Sequence, residues 1–226
     1  QRQVVRNNIL NNLKLFHLLR IDHFRGFVGF WQVHSSEKTA INGKWVEAPA
    51  EDFFNTVLQH FPDISIIAED LGIITPEVQK VINKFGFPGM NVLLFAFGED
   101  LPVNPYAPHN HEKNSVVYTG THDNNTIRGW YKKELTPDDR NRISKYIGRE
   151  TSEKTIHWDL IRLAMMSVAK MIIIPMQDFL GICEKERMNL PGSNKGNWEW
   201  RVTSEQLSPS LADKISNLTK IYGRSE

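Results

Sequence analysis

Cysteine is almost missing from this chain: Cys183 is the only one in 226 residues, so no internal disulfide can form and a reducing compartment is expected. A surplus of either charge is missing too. With 27 basic and 26 acidic residues the formal net charge is +1, and no block of like charge reads as a tail. A partner held by its phosphate backbone is therefore not expected. Long apolar runs are also absent. The longest, residues 92–97 and 171–176, fall far short of the ~20 residues a membrane-spanning helix needs. There is no internal repeat and no low-complexity stretch. The chain opens at Gln1 rather than Met. Residues 1–13 read as a helix already under way, with Val4, Val5, Ile9 and Leu10 at helical spacing. No targeting peptide is visible, and the reading is of a fragment whose beginning lies upstream.

What is present is an alternation of short apolar runs with helical patterns, the mark of an α/β protein with parallel strands. Residues 16–21, 64–68, 91–97, 115–119 and 171–176 are continuous and rich in branched side chains, as strands covered on both faces should be. Helices have explicit signals between them. Thr75-Pro76-Glu77 places a cap before a proline at the first helical position, and Gly86 supplies a stop. Thr136-Pro137-Asp138-Asp139 repeats the opening. A third helix is expected over residues 157–170, and a last one from Ser208-Pro209 to just before Gly223. Two segments break this rhythm. Residues 99–114 are rich in Pro, Asn and His, and residues 189–198 (NLPGSNKGNW) in Gly and Asn. Each is either a site wall or a plain solvated connection.

In parallel α/β folds the carboxyl ends of the strands face the ligand site, so polar residues there carry most weight. Three of the expected strands run into acids: Asp22 in RIDHFRG, Glu69 in IIAEDLG and Asp123 in YTGTHDN. Alternation along a strand puts Arg20 and Asp22 on the same side. A guanidinium there favours the carboxylate, as a nucleophile requires. Glu69 follows apolar residues without a basic neighbour, conditions under which a carboxyl keeps its proton and can serve as a general acid. Such an asymmetric pair is what glycosidic bond cleavage uses. Asp123 would be a third acid, bridging sugar hydroxyls. Taken singly, each acid could equally be a helix cap or a surface ion pair. Asp70 should face away from Glu69 and be structural. His23 and His122 read either as core histidines or, with Asp22 and Asp123, as metal ligands. No two histidines share a ligand spacing inside a strand, so a catalytic metal is not expected, and a carboxyl pair cleaves a glycosidic bond without an organic cofactor.

The blocks LLRIDHFRGF, IIAEDLG, FPGMNVLLFAF, NSVVYTGTHDNN, IIIPMQDFLG and RMNLPGSNKGNWEWR together resemble the signature segments of the amylomaltase, or disproportionating-enzyme, family of 4-alpha-glucanotransferases. They occur in the same order and span nearly the whole chain. The resemblance implies a (β/α)8 barrel of the α-amylase type acting on α-1,4-glucans and maltooligosaccharides. It implies Asp22 as nucleophile, Glu69 as acid/base and Asp123 as transition-state stabiliser. It also implies Arg20 and His122 as residues holding the nucleophile and the bound sugar, and Asn189 as part of a substrate-contacting loop. Asn125 stands where the family has an acid. Rival readings are a hydrolase of the same clan and a non-catalytic carbohydrate-binding remnant. The implied location is cytoplasmic, or the plastid stroma for a plant or alga.

Length departs from the resemblance, since a complete barrel takes about 250 residues. By block order, residues 16–21 match the family's fourth strand. The chain is thus expected to be a single partial barrel domain, residues 1–226, holding strands four to eight. An open parallel edge would make it poorly stable and weakly active or inactive alone.

Overall fold

The computed structural model describes residues 9–225. Residues 9–13 are helical; the remainder of the helix expected over residues 1–13 lies outside the described residues. The described residues form two compact units that divide between Met90 and Asn91.

In the first unit, β1 (Leu18–Ile21) and β4 (Ser65–Ala68) pair in parallel, with Leu18 opposite Ser65 and Ile21 opposite Ala68. Between them comes an antiparallel hairpin, β2 (Gly29–Val33) with β3 (Gly43–Glu47). Helix α1 (Ala50–His60) carries Ala50, Phe53, Phe54 and Val57 on one stripe. Helix α2 (Pro76–Phe85) starts at Thr75 with Pro76 in its first turn and stops at Gly86, whose φ of 65° is the left-handed conformation a C-terminal glycine supplies. The apolar faces meet over β4, where Phe24, Phe54, Ile66, Ala68, Val78, Val81, Ile82 and Phe87 form one core. The Phe24 ring stacks on Phe54 at 5.2 Å between centroids.

The second unit is built on a sheet in the order β5 (Gly89–Val92), β6 (Ser115–Tyr118), β7 (Met171–Ile173), with β6 and β7 parallel; the first two residues of β5 precede the boundary. Every residue of β6 is buried. Helices α3 (Ile127–Lys133), α4 (Pro137–Ile147), α5 (Ile156–Met166), α6 (Met176–Leu180) and α7 (Pro209–Ile221) follow. Ile161 and Met165 of α5 pack on Leu218 of α7. At the start of α4, the Thr136 hydroxyl accepts from Asp139 N–H while the Asp139 carboxylate accepts from Thr136 N–H, a reciprocal capping box. Thr136→Ala is expected to lower unfolding stability by about 1 kcal/mol in urea titration. An unchanged midpoint would show that the box contributes nothing.

The expected elements are present with shifted ends. The strand expected over 91–97 begins earlier, at Gly89, and gives way to a 3₁₀ turn at Leu93–Phe95. Asp70 explains the shift: its carboxylate accepts from Met90 N–H at 2.7 Å and occupies the space a Cβ at residue 89 would need. Residues 16 and 17 lie outside β1, and Pro175, which has no N–H to give a ladder, separates the short β7 from α6. The helix expected over 157–170 ends at Met166. Burial on both faces holds for β6 and nearly for β4; β1 is half-buried and β7 has exposed residues. Among the described residues, β1 is hydrogen-bonded only to β4, and β7 only to β6. The hairpin and α1 were not expected. The hairpin's residues form no continuous branched run and are largely exposed. Among the described residues no helix is long and apolar enough to cross a membrane.

Candidate active site

The parallel register of β1 and β4 sets Asp22 and Glu69 immediately past neighbouring strand ends. Arg20 Nη2 lies 3.2 Å from Asp22 Oδ1, the same-side arrangement that strand alternation requires. The Asp22 side chain is 67% exposed, so its ion pair adds little to folding. A carboxylate held by a guanidinium and turned to solvent is available to a ligand.

Glu69 departs from its expected setting. It does not sit in an apolar, donor-free pocket: its Oε2 accepts from His23 N–H at 2.6 Å and its Oε1 from Leu71 N–H at 3.1 Å. Of the apolar residues before it, Ile66 and Ala68 are buried in the core of the first unit. The turn that follows β1 brings one backbone donor, His23 N–H, to the carboxyl from 46 positions away, which sequence proximity does not reveal. Asp70 is structural, as its opposite facing implied. His23 is exposed and His122 only partly covered, so neither is a core histidine.

The second unit assembles the other named residues. Beyond β6, Thr121 N–H and hydroxyl both donate to Asn124 Oδ1, at 2.8 and 2.9 Å, closing a tight turn that presents His122 and Asp123. His122 Nε2 lies 3.4 Å from Asp123 Oδ2. Asn189 Nδ2 donates to Asp123 Oδ1 at 2.6 Å, and its N–H donates to His122 O at 3.1 Å. The loop of residues 189–198 thus comes to Asp123 as a wall. Residues 99–114 do not behave as a loose loop. Asn104 donates to Phe95 O, and His111 is buried between Ser167 Oγ and Tyr106 O, where burial lowers its basicity.

Three contributors escaped the sequence reading. Arg187 donates to Asp123 O at 2.8 Å and to Asn189 O at 2.9 Å, bracing both residues. The Trp198 ring lies 5.2 Å from that of His122, on a backbone with φ of 63°, and its side chain is mostly exposed. Asp178 is buried, and its carboxylate accepts from Thr119 Oγ1 at 2.7 Å and from Ile127 N–H at 2.9 Å. One carboxyl therefore ties together both ends of the segment carrying His122 and Asp123. The PMQD block holds that aspartate in the open, but only folding brings it to Thr119. Asn125 is also explained: its Nδ2 donates to Glu134 Oε1 at 2.8 Å, where an acid would meet a second carboxylate.

Strand-end acids, one paired with arginine and another held by backbone donors, define a site for carboxylate chemistry on an α/β scaffold. Comparison with known proteins gives that class its family. Residues 3–207 match the family model described as 4-alpha-glucanotransferase. The 4-alpha-glucanotransferase of Clostridium butyricum is 46% identical over 97% of this chain and 45% of its own length. The chloroplastic/amyloplastic 4-alpha-glucanotransferase of Solanum tuberosum is 48% identical over 93% of this chain and 36% of its own. A solved amylomaltase from Streptococcus agalactiae, in complex with acarbose, superposes with a TM-score of 0.90 at 34% identity, covering 96% of this chain and 44% of that one. The chain belongs to the 4-alpha-glucanotransferase family. It spans less than half the length of these relatives.

Proposed function

We propose that this chain carries the catalytic part of a 4-alpha-glucanotransferase, which moves α-1,4-glucan segments between maltooligosaccharides or starch and glycogen chains with retention at the anomeric carbon. The observation that carries the reading is the pairing of Asp22, held by Arg20, with Glu69 past adjacent parallel strand ends, in a chain of that family. Asp22 attacks the anomeric carbon as Glu69 protonates the departing glucan. The bond to the leaving oxygen breaks and a glycosyl–Asp22 ester forms. Glu69 then removes the proton from an acceptor's 4-hydroxyl, which takes the glycosyl group and frees Asp22. Retention requires the two carboxyl groups to stand about 5–5.5 Å apart when substrate is bound.

Asp123 stabilises the transition state through sugar hydroxyls, with Arg187 and Asn189 fixing its orientation. His122 and Asn189 contact the sugar, and Trp198 offers a ring face for it. Strands β1, β4, β5, β6 and β7 correspond to strands four to eight of an α-amylase-type (β/α)8 barrel. The two parallel pairs and the likeness to the amylomaltase support that assignment. The single cysteine suits a cytosol or plastid stroma.

The test is incubation with maltotriose and separation of products by size. Glucose together with maltooligosaccharides longer than the donor is the expected result. Glucose and maltose alone would replace transfer with hydrolysis. Unchanged maltotriose would mean that these residues alone do not turn the substrate over.

A further inference from the structure

His23 is one of two non-glycine residues with positive φ among the described residues, at φ 47° and ψ 55°. Left-handed backbone is disfavoured for any residue with a Cβ, though His tolerates it better than a β-branched residue does. Such strain persists only where the surroundings hold it. Here the surroundings are the two acids. Asp22, just before His23, faces solvent. Phe24, just after, is wholly buried against Phe54. One left-handed residue makes that reversal within a single step and starts the 3₁₀ turn Phe24–Phe27.

The same reversal aims backbone groups at Glu69. His23 N–H donates to Glu69 Oε2 at 2.6 Å, Phe24 N–H to Glu69 O at 3.0 Å, and Glu69 N–H to Ile21 O at 2.9 Å. Three hydrogen bonds thus bracket Asp22 against Glu69, and one of them lands on the carboxyl itself. The imidazole takes no part in them.

We propose that His23 is a positioning residue whose left-handed backbone, not its ring, sets the Glu69 carboxyl beside Asp22. The claim about geometry stands alone; its catalytic consequence rests on the roles proposed above for Asp22 and Glu69. A residue that adopts the left-handed region readily should replace His23 without loss, and a residue that resists it should not.

Two measurements on the 226-residue chain test this. The first is the amide signal of residue 23 in ¹⁵N–¹H NMR. A short bond to a carboxylate is charge-assisted, so the proton should resonate far downfield and move upfield in Glu69→Ala. His23→Gly and His23→Asn should retain the downfield signal, and His23→Val should lose it. The second is maltotriose disproportionation by the same variants. His23→Gly and His23→Asn should keep kcat within about threefold of the parent, while His23→Val should lose about tenfold or more in kcat at little changed KM. An amide signal indifferent to Glu69→Ala would overturn the bond. Equal losses in His23→Gly and His23→Val would assign the role to the imidazole and overturn the proposal. If the unsubstituted chain turns over nothing, the amide series still decides the geometry, and the glucan-transfer reading alone is weakened.

Discussion

Asp22→Asn is expected to reduce transfer by roughly 10⁴-fold, the scale on which removing a covalent nucleophile, the role proposed for Asp22, acts. Asparagine keeps the shape of the side chain and an oxygen for the Arg20 guanidinium, so the turn after β1 should be undisturbed. What it lacks is an anionic oxygen able to form and release a glycosyl ester. The carboxylate is mostly exposed and pairs with the Arg20 guanidinium 3.2 Å away. Its removal should therefore shift unfolding stability by no more than about 0.5 kcal/mol. The expected signature is a normal urea transition, retained binding of maltooligosaccharides by calorimetry, and a missing product ladder. Transfer above about 1% of the parent rate would remove Asp22 from the nucleophile's role. A collapsed transition would make it a structural residue.

Asp178 should make the chain less stable as pH rises from about 4 to 8. Burial pushes its carboxyl up to about 6 from an ordinary 3.8, against the opposing pull of the Ile127 and Thr119 hydrogen bonds. In the window between those values the folded chain holds a proton that the unfolded chain has released. The stabilisation is complete below about pH 4 and is lost as pH rises through about 6, a loss of about 3 kcal/mol. Other carboxyls act in the opposite direction, among them Asp139, held low first by its hydrogen bond from Thr136. The parent curve alone is therefore not diagnostic. Asp178→Asn isolates the effect: its amide oxygen can still accept from Ile127 N–H, and its NH₂ can donate to the Thr119 hydroxyl, but it cannot ionise. Urea midpoints at pH 4 and pH 8 should show the variant gaining about 3 kcal/mol relative to the parent over that interval. Parallel curves would show that Asp178 carries no such proton. Because this carboxyl joins both ends of the segment bearing His122 and Asp123, its charging in folded protein loads the base of that segment.

Much of the fold was legible because the signals were local. Thr75-Pro76 with Gly86, and Thr136-Pro137 with Asp139, set helix ends through groups within a few residues of one another. Continuous branched runs located β4 and β6, which are buried along most of their length. The misplaced ends have distant causes. Asp70 draws residues 89 and 90 into a strand from twenty positions away, and no window-sized pattern contains both partners. The hairpin was invisible for another reason: its exposed aromatics pair across a long connection, Trp31 opposite Trp45 at 5.6 Å, with Arg25 over the Trp45 ring.

For the site, residue identity was the sequence's share. Asp22, Glu69, Asp123, Arg20, His122 and Asn189 can be named without the structure, because a side chain's chemistry is a property of its own atoms. Same-side placement of Arg20 and Asp22 followed as well, since strand alternation is local. The setting of each group was decided by tertiary structure alone. Glu69 faces backbone donors rather than an apolar wall because the chain reverses at His23, and Asp123 is braced by Arg187 and Asn189 from more than sixty residues on. Hydrogen bonds and desolvation depend on which atoms lie within a few ångströms, and for these groups the decisive neighbours arrive only when separate segments pack.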